Sequence, residues 1–171
     1  MHSTVRILTI AVLASAVAVG CSKKVKETPP AQTAVETPSQ TYQAPVAGAY
    51  TPADLDTDPC LRTRVVYFDL DRDLVKPEFQ AIVACHAKYL RDRPSARLRL
   101  EGNADERGSR EYNMGLGERR GNSVSNALQA SGGSGTQLTV VSYGEERPVC
   151  TETGEGCWSR NRRVELIYTD K

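Results

Sequence analysis

The period of apolar and polar positions changes several times along the chain, and each change marks an element. Ile7 to Val19 is an uninterrupted apolar run, too short as a helix to cross a hydrocarbon core of ~30 Å. From Ser22 to about Pro59 neither a 3.6 nor a 2.0 period is visible, and Pro29, Pro30, Pro38, Pro45, Pro52 and Pro59 are scattered among Thr, Gln and Ala. Such a stretch cannot bury a core of its own. Arg64 to Phe68 (RVVYF) is β-branched and aromatic and predicts a strand. Lys76-Pro77 opens a helix with proline at the first helical position. Its apolar stripe is Phe79, Ile82, Val83, His86 and Leu90, and Pro94 prevents continuation. Arg97 to Glu101 alternates strictly, setting Leu98 and Leu100 on one face and Arg97, Arg99 and Glu101 on the other. A second helix runs from Ser109 or Arg110 to Ala130 and is stopped by Gly132-Gly133. Leu138 to Tyr143 and Arg163 to Tyr168 complete the set as strands, the last preceded by a turn around Trp158 to Asn161.

The order β-α-β-α-β-β, with one polar sheet face, predicts an α/β two-layer sandwich in which both helices cover one face of a four-stranded mixed sheet. A length of 171 residues allows one such domain, expected over residues 60–171, with extra segments ahead of it.

Those segments have their own reading. Arg6 precedes the short apolar run, so residues 1–20 read as an export signal. Ala18-Val19-Gly20-Cys21 resembles the bacterial lipobox, whose cysteine is lipidated and becomes the new N-terminus. Ser22, not being Asp, predicts by the same resemblance a lipid anchor in the outer membrane, with the chain facing the periplasm. Several acyl chains at ~0.8 kcal/mol per buried CH₂ make such an anchor effectively permanent. Residues 21–59 then form a disordered tether, which at ~3.1 Å per residue stretches to on the order of 100 Å.

Charge and chemistry narrow the function further. With 22 Lys+Arg against 21 Asp+Glu the formal net charge is +1, which lacks the phosphate-neutralising footprint of a nucleic-acid binder. The only histidines are His2, within the signal, and His86, within the apolar stripe of the first helix. A packed, hydrogen-bonded His86 is therefore expected, with no metal site and no cofactor. Asp69, Asp71 and Asp73 alternate like the start of a calcium loop, but the required Gly and closing Glu do not follow. In an oxidising periplasm Cys150 and Cys157, which bracket CTETGEGC, are expected to pair. Cys60 and Cys85 are then the other pair, although the two crossed connectivities stay open. No G-x-S-x-G elbow, H-E-x-x-H or free Cys/His pair is present, so no enzyme is expected.

The second helix carries the unusual residue. Tyr112, Leu116, Val124, Ala127 and Leu128 define its inward stripe, and Arg120 falls in the middle of it beside Asn113. A guanidinium taken from water demands partners. The preceding loop, Gly102-Asn103-Ala104-Asp105-Glu106-Arg107-Gly108, offers Asp105. Two readings stay open here: a pocket between Asp105 and Arg120 for a zwitterion, or a structural salt bridge between them. Arg162 and Arg163 read as ion-pairing residues on the polar sheet face.

The stretch Glu101 to Val124, with Tyr67-Phe68-Asp69, Ser142-Tyr143-Gly144 and Asn161-Arg162-Arg163, closely resembles the OmpA-like C-terminal domain of the peptidoglycan-associated lipoprotein (Pal) family, over about Val65 to Tyr168. The resemblance implies non-covalent binding of peptidoglycan through the diaminopimelate of its stem peptide, with Asp105 and Arg120 facing the ligand's charged ends. It also implies a pocket bordered by Phe68, Asp69, Asn103, Asn113, Leu116 and Gly117, and TolB of the Tol system as a periplasmic partner in envelope integrity and cell division. Asn103 stands where the family often has His, and Gly121 where Ala is usual. The alternative is an envelope scaffold for a periplasmic protein, with weak wall binding and the Asp105–Arg120 pair closed on itself.

Overall fold

The computed structural model describes residues 48–171. The signal segment, Cys21 and the tether as far as residue 47 lie outside the described residues. Four strands form one mixed sheet: β1 (Val65–Tyr67), β2 (Arg97–Asn103), β3 (Leu138–Gly144) and β4 (Arg163–Asp170), in the order β1-β4-β2-β3. β2 and β3 run parallel, while β4 is antiparallel to both β1 and β2. A parallel pair needs a crossover, and here it is α4 (Arg110–Ala130), lying on β2 and β3 with α3 (Gln80–Asp92) beside it. The sheet and helix register follows the expected layers. Val66, Leu98, Leu100, Val164 and Leu166 from the sheet join Val83, Leu90, Val124 and Leu128 from the helices in one core.

The folded part starts upstream of the expected boundary at Cys60. Tyr50 and Leu55 are buried in the same core, and two single-turn helices, α1 (Asp54–Thr57) and α2 (Pro59–Arg62), follow. Asp58 caps α2, accepting from the Cys60 and Leu61 N–H groups at 2.8 and 3.1 Å. Local caps and two apolar anchors order a segment whose composition reads as tether. This lead explains why α3 is buried beyond its predicted stripe. Cys60 is bonded to Cys85, the Tyr50 and Tyr89 rings lie 6.3 Å apart, and the Tyr50 N–H donates to Asp92 at 2.8 Å. The second disulfide joins Cys150 to Cys157.

Other expectations need correction. Tyr112, placed on the inward stripe of α4, is 44% exposed, because its turn extends past the edge of the core. The turn predicted around Trp158 is a short helix, α5 (Glu155–Asn161). Arg162 and Arg163 are both buried, and Arg162 does not belong to the polar sheet face. Gly102 and Gly117 mark the closest approach of α4 to the sheet. A Cβ on Gly102 would lie 1.9 Å from the Gly117 carbonyl oxygen, and one on Gly117 would lie 2.4 Å from Ser142 Oγ. Gly121, unusual for its family position, would press a Cβ to 2.5 Å from Val140.

His86 is fully buried, with Nε2 3.0 Å from the Thr63 carbonyl and Nδ1 2.8 Å from the Tyr168 hydroxyl. A carbonyl only accepts, so Nε2 carries the proton and Nδ1 accepts from Tyr168. Burial pulls the His86 pKa down to about 4, against an opposing hydrogen bond to Thr63. The unfolded chain then takes up a proton that the fold refuses as pH drops from the ordinary histidine value toward that of the fold. Stability should fall over this interval by up to about 1.4 kcal/mol per pH unit, about 3 kcal/mol in all. Urea midpoints of the full chain between pH 7 and pH 4 check this, and His86→Gln should flatten the slope.

Candidate functional site

The cleft beside the N-terminal half of α4 is assembled by three pieces of chain. The end of β2 delivers the loop from Ala104 to Gly108, in which Asp105 Oδ1 accepts from the Arg107 N–H at 3.1 Å. That short-range bond closes a turn of the kind Asp favours. Ser109 then caps α4 by accepting from the Tyr112 N–H at 3.2 Å. Asn113, buried one turn into the helix, donates to the carbonyls of Asp105 and Arg107 and to Glu145, which holds the loop against the helix. The third piece is the segment after β1, where Leu70 and Asp71 form the opposite wall.

The cleft has a volume of about 270 Å³. Its walls carry Asp105, Arg107 and Gly108 from the loop, and Tyr112, Asn113, Leu116 and Arg120 from α4. Of the residues expected at the site, Asp105, Asn113, Leu116 and Arg120 line it. Phe68, Asp69, Asn103 and Gly117 do not, and each has a different position. Phe68 is buried with the Arg120 guanidinium 5.3 Å from its ring centroid. Asp69 contributes its carbonyl to Arg120, while its carboxylate faces Lys76 at 3.6 Å. Asn103 likewise gives Arg120 its carbonyl, and its own amide donates to Glu101. Gly117 is the helix-to-sheet contact described above.

Arg120 is 0% exposed. Nε donates to the Arg72 carbonyl at 2.8 Å, Nη1 to Asn103 at 2.8 Å and Nη2 to Asp69 at 3.1 Å. Of the five N–H groups of a guanidinium, these bonds use three, leaving one on each Nη. The charge itself meets no carboxylate within ion-pair distance among the described residues. Burial lowers its pKa to about 10, and the neighbouring positive charge of Arg162 adds to this, with Asp105 only partly offsetting them. Arg120 therefore stays cationic at neutral pH, with Asp105, Asp73 and Asp71 acting on it from beyond contact distance.

The salt bridge between Asp105 and Arg120, one of the two readings left open, is not formed. Asp105 is paired instead with Arg107 (Nη2 to Oδ2, 2.7 Å; Nε to Oδ1, 3.1 Å) and with Arg162 at 3.2 Å. Burial pushes its carboxyl up, but the hydrogen bonds from Arg107 and Arg162 outweigh this and hold it below the usual range. Arg162 is itself pinned, donating to the Phe68 carbonyl at 3.0 Å and to Glu155 on α5. Arg107 and Arg162 are the site residues that sequence reasoning missed. The D-x-R spacing of a side-chain turn marks the first. The second stands at the entry to the strand that pairs with β1, which brings it beside Phe68.

Known proteins resemble this chain in sequence and fold. The OmpA family model matches residues 67–162. The chain is 46% identical over 155 residues to a peptidoglycan-associated lipoprotein of Pseudomonas putida, covering 90% of this chain and 91% of that protein. It is 41% identical over 121 residues to a protein of the same name from Haemophilus influenzae, covering 71% and 76%. The crystal structure of the peptidoglycan-associated lipoprotein from Burkholderia pseudomallei superposes with a TM-score of 0.66 at 40% identity, covering 68% of this chain and 98% of that one. The C-terminal domain of Helicobacter pylori MotB shares the fold at 20% identity, with a TM-score of 0.58, covering 63% and 84%.

Arg162 is the buried support of the acidic wall. Arg162→Gln should destabilise the domain by about 3 kcal/mol, the scale for removing one partner of a buried pair. The Asp105 carboxyl should titrate at higher pH in that variant, read by carboxyl-carbon NMR.

Proposed function

The chain belongs to the OmpA family and, within it, to the peptidoglycan-associated lipoproteins, and on that premise we propose that its cleft binds peptidoglycan non-covalently through the diaminopimelate of the stem peptide. The observation that carries the reading is the Arg120 guanidinium, buried in the cleft wall with no carboxylate partner among the described residues. A ligand carboxylate supplies the missing anion through the two N–H groups that Arg120 has left. Asp105, ionised well into the acid range, accepts hydrogen bonds from the ligand ammonium at the other wall. Leu116 and the exposed side chain of Leu70 border the methylene chain that carries the charged end. A zwitterionic amino-acid end with both groups on one carbon fits these requirements, whereas a lysine side-chain end lacks the carboxylate.

The remaining parts of the chain complete the reading. Cys21 is lipidated and holds the chain in the outer membrane, and the segment up to residue 47 spans part of the periplasm as tether. Two charge-assisted contacts give modest affinity at each site. Many tethered copies facing one polymeric wall convert this into firm attachment, because effective concentration replaces tight single contacts. Tethering of this kind serves envelope integrity and cell division, and TolB of the Tol system is the periplasmic partner we assign.

The test is calorimetric titration of the full chain in detergent with a muropeptide ending in diaminopimelate and with its lysine counterpart. Binding to the first only is expected. Arg120→Lys, which keeps the charge but loses the planar fork and its three carbonyl bonds, should weaken binding at least roughly tenfold. A folded wild type that binds neither ligand would reject the reading and favour a scaffold for a periplasmic protein.

A further inference from the structure

Asp105 has two guanidinium partners, and they are not equivalent. The Arg162 side chain is 5% exposed and fixed by the Phe68 carbonyl and Glu155. The Arg107 side chain is 33% exposed, lines the cleft and grips both carboxylate oxygens. Those oxygens are the ones a ligand ammonium needs. A carboxylate has about four lone-pair positions, and Arg107 takes the two that its side chain can leave without breaking the buried Arg162 contact.

Arg107 also has somewhere to go. Its guanidinium carbon lies 4.1 Å from the centroid of the Trp158 ring, and Nη2 lies 3.6 Å from Glu155 Oε2. Trp158 is held in place by its indole N–H, which donates to Glu106 at 2.9 Å. A guanidinium stacked on an indole and facing a second carboxylate keeps most of its stabilisation when one partner is withdrawn. Neither Trp158 nor Glu155 lines the cleft.

We propose that Arg107 is a displaceable stand-in for the ligand's ammonium: it competes for Asp105 and is shifted fully onto Trp158 and Glu155 when a cationic ligand group takes its place. This rests on the reading of the cleft as a zwitterion site and adds how that site is regulated and how it selects. A ligand bringing only a carboxylate leaves Arg107 on Asp105 and gains the Arg120 contact alone. A ligand bringing both charges displaces Arg107 while Arg162 stays, so Asp105 is never left as an unpaired buried charge. The competition subtracts from affinity and keeps each attachment reversible.

Trp158 is the only tryptophan in the chain, so its emission reports directly on the group stacked over it. The full chain in detergent is titrated with the diaminopimelate muropeptide, following both heat and tryptophan fluorescence, for wild type and Arg107→Ala. Arg107→Gln serves as the second variant, and circular dichroism checks folding. Binding by the Arg107 variants should be tighter by roughly tenfold, the scale of one charge-assisted hydrogen bond set free. Trp158 emission should change on saturation in wild type and stay constant in the variants. Weaker binding by the variants would make Arg107 a direct ligand contact and overturn the proposal. Equal binding, or wild-type emission indifferent to ligand, would also overturn it while leaving the zwitterion site intact. Absence of binding in wild type and variants alike would reject the site itself and the proposal with it.

Discussion

The constraint around which the domain is arranged is a cation placed inside its core. An unpaired guanidinium in a low-dielectric interior is prohibitive, and arginine cannot escape by losing its proton. The fold answers with backbone. The segment after β1 turns the carbonyls of Asp69 and Arg72 toward Arg120, and the end of β2 supplies that of Asn103. Phe68 places its ring near the guanidinium. These groups satisfy hydrogen bonds but carry no net charge. The guanidinium is therefore held by neutral partners, which leaves it freer to meet an arriving carboxylate than a closed ion pair would.

Close packing makes that arrangement possible. Arg120 reaches the end of β2 only because α4 sits almost on the strand, with Gly102 facing Gly117 and Gly121 facing Val140. Any side chain at the first contact would lift the helix and with it the guanidinium. The acidic wall is supported from a different direction. β4 brings Arg162 beneath Asp105, and α5 adds Glu155 and Trp158 next to the disulfide of Cys150 and Cys157. Charges of both signs thus border the cleft, and the buried Asp105 keeps the buried Arg162 as its base.

Much of this was legible in the sequence where physical signals are local. The stripe through Ile82, Val83 and Leu90, the Ser109 cap and the Gly132-Gly133 stop define α3 and α4 closely, although Pro77 opens a single 3-10 turn (Pro77–Phe79) and α3 itself begins at Gln80. Strict alternation around Leu98 and Leu100 does the same for β2. The order of apolar Leu116, Val124 and Leu128 around Arg120 announces a buried charge. What escaped depends on distant partners. Tyr50 and Leu55 lie in a stretch whose prolines read as tether, and only the surface of α3 and the link from Cys60 to Cys85 order them. Arg162 reaches Asp105 from 57 residues away, whereas Arg107, two residues from Asp105, is the local exception, marked only by the D-x-R spacing. Conversely, Phe68, Asp69, Asn103 and Gly117 surround the cleft through ring, carbonyl or backbone contacts, which residue identity alone does not distinguish from side chains facing a ligand.

The most direct test is nitrogen-15 NMR of the arginine guanidinium groups in the full chain, with and without the diaminopimelate muropeptide. The account predicts that the Arg120 Nε and Nη resonances are already slowly exchanging and shift further as ligand saturates, in step with the Asp105 carboxyl signal. Arg120 resonances unchanged at full saturation would contradict it, because the buried cation would then serve the fold alone.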